Sequence, residues 1–182
     1  SYEFEATLAF IAFDREEQGL IGSTAYAADA AARGDQIAGM VNLDMIAFNP
    51  DGPNQDKVAL FEYLDGGSLI GHLQTAFDTH GDGLIAVDAG QTGSSDHKPF
   101  ELEGYDAALV IEYAYEDNAH YHQPTDAVET PGLIDYVYAT RIAKAVTGYL
   151  AEAAGPARPT NLLDAAVDGT RLVLDYSADQ NG

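Results

Sequence analysis

At 182 residues, 46% of them hydrophobic, the chain is long enough for one domain with a real core, and it holds no apolar stretch long enough to span a bilayer. Thirty acids against eight Lys and Arg give a net charge of -22, which excludes nucleic acid as a partner because a phosphate backbone needs a basic surface. Cysteine is absent, so thiolate catalysis and thiolate zinc sites are excluded, and any transition metal must sit on His, Asp and Glu.

The first residue, Ser1, is not an initiator methionine, and a strand-like pattern begins almost at once, so the front reads as the cut end of a longer precursor. Glu5 to Phe13 alternates like a buried strand. It runs into Asp14-Arg-Glu16-Glu17-Gln-Gly19, three acids within four positions followed by a glycine. Neighbouring side chains on a strand point to opposite faces, so Glu16 and Glu17 serve one site only if the backbone turns there. One carboxylate of such a pair can hold a metal while the other handles the proton of a bound water. A solvated turn before a helix explains the same residues equally well.

Leu20 to Arg33 reads as a small-residue helix ended by Gly34, and Ile37 to Phe48 as a second apolar run. Strand, helix and strand in short succession predict an α/β architecture with a largely parallel sheet. Asp44 falls in the middle of that second run, where an unpaired carboxylate would cost several kcal/mol. A metal ion, a cap or a buried ion pair would each satisfy it.

Lys57 to Tyr63 reads as a strand and Ser68 to Thr79 as a helix. Residues 78–89 match part of a calcium loop, but His80 and Ala89 stand where such a loop needs oxygen ligands, which argues against an ion there. The polar cluster Gly93 to Phe100 includes Asp96 and His97, types that orient metal ligands from behind. After a strand at Ala107 to Tyr113, Tyr115 to Asp126 gathers His120, Tyr121, His122 and Asp126. Thr130 and Pro131 predict the start of a long helix reaching Ala154.

The ordered set Asp14-Arg-Glu16-Glu17-Gln-Gly19-Leu-Ile-Gly22-Ser23, Asn42-Leu-Asp44-Met, Ser95-Asp96-His97 and Tyr121-His122-Gln-Pro-Thr-Asp126 resembles the dizinc aminopeptidase family. Relatives of that family include glutaminyl cyclases and the non-catalytic transferrin-receptor-like ectodomains. The resemblance covers residues 4–150. It implies a three-layer α/β/α fold with a mixed, mainly parallel sheet, and an enzyme that removes N-terminal residues from peptides bearing a free N-terminus. It implies two Zn2+ ions in a complete site, Glu16 as general base, Glu17 and His122 as ligands of one zinc and Asp44 of the other. Tyr121 would polarise the scissile carbonyl, with Asp96, His97 and Asp126 as supporting residues.

The family also places a ligand histidine and a bridging aspartate in a His-x-Asp motif before the Glu-Glu turn, and too few residues precede Glu16 to contain it. The expectation is therefore the C-terminal portion of a catalytic domain over 1–154, with its N-terminal part missing and partial zinc occupancy by this chain alone. Its partner would then be an N-terminal fragment of the same precursor, and its location secreted or periplasmic. Two further readings stay open, a glutaminyl cyclase-like transferase and a non-catalytic binding relative. Residues 155–182 read as a linker and β tail similar to the opening strands of a fibronectin type III module.

Overall fold

A computed structural model describes residues 4–155 and, as backbone, two further strands at 162–168 and 171–176. In chain order the elements are α1 (Ile21–Arg33), β1 (Met40–Leu43), β2 (Lys57–Glu62), α2 (Leu69–His80), β3 (Ile85–Gln91), α3 (Lys98–Leu102), β4 (Ala107–Glu112), α4 (Tyr136–Ala154), β5 (Leu162–Asp168) and β6 (Arg171–Tyr176).

Residues 10–149 form one compact unit. Its sheet has the order β1-β4-β2-β3, with β1 parallel to β4, β2 antiparallel to β4, and β3 parallel to β2. The continuous apolar run of β4 is what a strand covered on both faces requires, and all six of its residues are buried. On one face Ala107 packs with Ala27 of α1 and Phe100 of α3, joined by Phe13, Tyr26, Ile37, Met40 and Tyr105. Helix α2 buries Leu69, Ile70, Leu73, Ala76 and Phe77 and packs across β2, β3 and β4. In α4, the Tyr138 hydroxyl donates to the Lys57 carbonyl at the start of β2. The result is the expected α/β/α layering around a mixed, mainly parallel sheet.

The second unit takes residues 4–9 and those from 150 onward. In it the Glu5 and Ala6 N–H groups donate to the Ala154 carbonyl, each at 3.1 Å. Strands β5 and β6 pair antiparallel, with Ala165 opposite Leu174. Of the linker read from the sequence, residues 156–159 lie outside the described residues.

Three local expectations are corrected. Glu5 to Phe13 forms no strand with any described neighbour, and Phe10 and Ile11 are 82% and 43% exposed. The alternation is present, but a strand exists only when another strand takes up its hydrogen bonds. The Ile37 to Phe48 run yields only the four residues of β1, because the Ala47 and Phe48 N–H groups are drawn to the Glu112 carboxylate at 2.9 and 2.7 Å instead of a ladder. The long helix begins at Tyr136 rather than Thr130, since Asp135 Oδ1 accepts the Val137 and Tyr138 N–H groups at 2.9 and 3.0 Å and so caps it there. The calcium-like segment 78–89 divides between the end of α2 and the start of β3, and the Lys144 ammonium holds its Asp82 carboxylate at 2.7 Å.

Candidate active site

Since β1 and β4 run parallel, with Leu43 opposite Val110, both reach the same edge of the sheet. Crevices at the carboxyl ends of such strands are where open α/β sheets present ligand-binding residues. Strand periodicity puts Asn42 and Asp44 on the same face as Met40, which packs with Phe100 and Ala107. The segment before α3 crosses that face, and the Ser95 hydroxyl accepts from Asn42 Nδ2 at 2.6 Å and donates to Asp44 Oδ2 at 2.8 Å. Asp44 is half-buried and has a hydroxyl partner, so it is less isolated than its apolar surroundings suggest.

The acids at 16 and 17 sit on a tight turn that opens α1. Gly19 and Leu20 donate their N–H groups to the Glu16 carbonyl at 2.9 and 2.8 Å, and Gly22 donates to Asp14 at 3.0 Å. Arg15 and Leu20 adopt left-handed φ values of 60° and 59°. Glycine is required at position 22, because a Cβ there would lie 2.6 Å from the Asp14 carbonyl oxygen. The turn leaves Glu16 half-buried and Glu17 exposed.

Across from it, the chain leaving β4 turns through Tyr115–Asp117 to Tyr121 and His122. His122 has φ 56°, stacks on the Tyr121 ring at 4.0 Å, and donates from Nε2 to Glu17 Oε1 at 3.0 Å. Residues 105 positions apart thus meet at one point. Burial raises the pKa of Glu16, and the charges of Glu17, Asp44 and Asp96 raise it further, while His122 opposes them. Tyr121 is held protonated by burial and then by Glu17, Asp44 and Glu16. The same acids therefore act on both side chains assigned to catalysis.

Asp96 and His97 are buried. Burial lowers the His97 pKa, and its Nε2–H donates to the Thr92 carbonyl at 2.9 Å. Its Nδ1 and the Oδ1 of Asp96 have no hydrogen-bond partner among the described residues. Asp126 is exposed and lies elsewhere, lining a cavity of about 110 Å³ with Met45, Asn118 and Glu112.

Glu112 is the residue that sequence reasoning missed. Its N–H donates to the Met45 carbonyl at 2.9 Å and its Oε2 takes the Ala47 and Phe48 N–H groups. It also hydrogen-bonds the Asn118 side chain, whose Oδ1 in turn accepts the His120 N–H at 3.0 Å. One carboxylate thus ties the loop after Asp44 to the turn before His122. Its signal was an acid closing a wholly apolar run, the same pattern that drew notice to Asp44.

The donors suit zinc in kind: carboxylate oxygen from Glu17 and Asp44, imidazole nitrogen from His122. They fall short in number. Glu17 and His122 converge, but no group of three His, Asp or Glu close enough to hold one ion forms among the described residues.

Comparison with known proteins bears on the family and the fold. The model of peptidase family M28 matches residues 1–160. A probable leucine aminopeptidase of Arthroderma benhamiae is 28% identical over 147 residues, 80% of this chain and 39% of that protein. The solved aminopeptidase of Aneurinibacillus sp. strain AM-1 is 30% identical with a TM-score of 0.62, over 79% of this chain and 32% of the other. BSAP, a zinc aminopeptidase from Bacillus subtilis, is 26% identical with a TM-score of 0.64, over 79% of this chain and 35% of its own. The chain therefore spans about two fifths of the length of the curated relatives it matches.

Proposed function

The chain belongs to peptidase family M28, and from that premise we propose that the protein containing it is a zinc aminopeptidase, cleaving the first residue from peptides with a free N-terminus. The observation that carries this reading is the meeting of Glu17 and His122 at 3.0 Å beside a half-buried Glu16 whose proton affinity is raised by burial and by its acidic neighbours. Glu17 and His122 would hold one Zn2+ and Asp44 a second. When bound, zinc supplies a water of pKa near ~7 and polarises the peptide carbonyl.

The protein's own groups do the rest. Glu16 takes the proton of the attacking water and returns it to the departing amine, a task suited to a carboxyl whose pKa is lifted toward neutrality. The Tyr121 phenol, protonated at neutral pH, donates a hydrogen bond to the carbonyl oxygen as it gains charge. Ser95 holds Asp44 by its hydroxyl, and Asp96 adds to the negative field that keeps Glu16 basic. The resemblance adds a His-x-Asp pair supplied from outside the described residues. Secretion or periplasmic residence is proposed on that resemblance alone; no helix among the described residues is long and apolar enough to cross a membrane.

The test uses the complete protein loaded with zinc and a leucine nitroanilide as substrate. Glu16→Gln is expected to retain zinc, measured by atomic absorption, while kcat falls by roughly a hundredfold or more. Tyr121→Phe is expected to cost on the order of tenfold to a thousandfold, since one donor to the carbonyl oxygen is lost. Undiminished turnover in zinc-replete Glu16→Gln would remove Glu16 from the mechanism.

A further inference from the structure

Lys98 stands out in a molecule with eight bases and thirty acids. Arg33, Arg141 and Lys144 are committed to Asp29 and Asp35, to Asp56 and to Asp82, and exposed Arg15 lies beside Asp14. Lys98 and Lys57 have no ion-pair partner among the described residues; Lys57 lies over the Tyr113 ring at 5.2 Å, and of the two only Lys98 lines a cleft with Glu16 and Glu17. Lys98 lies over the Tyr63 ring with its ammonium 4.9 Å from the centroid. It also lines, with Glu16, Glu17, Gly19, Gly93 and Ser94, an open cleft of about 360 Å³.

The position is built rather than incidental. Lys98 is the first residue of α3, fixed by its N–H to the Ser95 carbonyl at 3.2 Å and by buried Pro99 and Phe100 on its other side. The Tyr63 N–H is anchored on Glu101 Oε1 at 2.7 Å. Gly93 makes room for the pair, because a Cβ there would lie 2.9 Å from the Tyr63 ring and 3.2 Å from the Lys98 stem. Three segments therefore cooperate to hold one cation on the wall of a cleft whose other charged walls are Glu16 and Glu17.

We propose that Lys98 binds a carboxylate on the residue that follows the scissile bond, so that the site favours dipeptides with a free C-terminus and peptides with an acidic second residue. The proposal rests on the aminopeptidase reading for the meaning of the cleft. Among the side chains lining this cleft Lys98 is the one base and Glu16 and Glu17 are the acids, so a carboxylate just beyond the reacting bond has this ammonium as its attractive side-chain partner. Attraction from one half-exposed cation in such a field is worth roughly three- to tenfold in kcat/KM, expressed mainly in KM.

The experiment compares four peptides on the complete, zinc-loaded protein. Leu-Gly against Leu-glycinamide reads the terminal carboxylate, and Leu-Asp-amide against Leu-Asn-amide reads the side-chain carboxylate. The acid is expected to be preferred in at least one pair. Lys98→Met, which keeps the stem over Tyr63, is expected to abolish that preference, and Lys98→Arg to keep it. A preference unchanged in Lys98→Met, or absent in the wild type, overturns the proposal. Calorimetric binding of the same peptides to Glu16→Gln separates the two readings. Acid-selective binding that is lost in Glu16→Gln/Lys98→Met, with no hydrolysis of any peptide by the wild type, keeps the carboxylate site and sinks the peptidase. Hydrolysis of all four without selectivity does the reverse.

Discussion

Two carboxylates at one edge of the sheet do different work because their surroundings differ. Glu16 faces other acids and a histidine and stays half open to water, which suits the general-base role proposed for it. Glu112 is 2% exposed and holds backbone N–H groups, and burial pushes its pKa up to about 7. Native Glu112 therefore binds its proton more tightly than the same residue in the unfolded chain, from the ordinary 4.5 upward. Its contribution to stability is complete below pH ~4.5 and is lost as pH rises through about 7. Denaturant unfolding of wild type and Glu112→Gln between pH 5 and 8 checks this. Over that range the wild type is expected to lose about 2 to 3 kcal/mol more than the variant, and parallel curves would show that Glu112 does not titrate there.

At the scale of elements, what could be read from the sequence was whatever is self-contained. Helix α1 was expected from Leu20 and begins at Ile21, and α2 was expected over 68–79 and spans Leu69–His80, since each carries its own apolar stripe. The apolar runs behind β2 and β4 were legible for the same reason. What depends on a distant partner was not. Residues 5–13 alternate like a strand without pairing as one among the described residues, β1 stops where Glu112 captures the next N–H groups, and the meeting of Glu17 with His122 crosses 105 positions that no local pattern spans. The legible part of the candidate site was its residue types in order, Ser95 among them; Glu112 and Lys98 became visible only through their contacts, as did the hydrogen bonds by which Ser95 joins Asn42 to Asp44. The turn before α1 depends on an element contact of this kind. Gly22→Ala would drive a methyl into the Asp14 backbone, which cannot yield as a flexible side chain would. Overpacking of this type costs about 1–3 kcal/mol. We expect a lower melting temperature and a shift of the Glu16–Glu17 turn, read as lost NMR cross-peaks between residues 17 and 122; an unchanged thermal midpoint would mean that the turn is slack.

For the whole molecule, the question that the proposed two-zinc reading raises is how much of such a site the described residues carry. The described residues bring together one carboxylate and one imidazole, Glu17 and His122, both largely open to water, while Asp44 is held by Ser95. A stable zinc site needs about three protein ligands, and a two-zinc site needs a bridging group that keeps the ions roughly 3.5–4 Å apart. Two converging donors give a weak site. The net charge of -22 will gather cations near the surface without fixing their geometry, and added salt will screen that attraction. The isolated chain is therefore expected to take up zinc in substoichiometric, salt-sensitive fashion when titrated against a chromophoric chelator, and to hydrolyse a leucine nitroanilide poorly or not at all. On the proposed two-zinc reading, adding a polypeptide that carries the His-x-Asp pair implied by the resemblance should raise zinc affinity and turnover together, because one segment would complete both the ligand set and the bridge. Full turnover by the purified 182-residue chain, with mass spectrometry showing no second polypeptide, would mean that its own side chains complete the site, and the assignment of Glu17, Asp44 and His122 to two separate ions would be wrong.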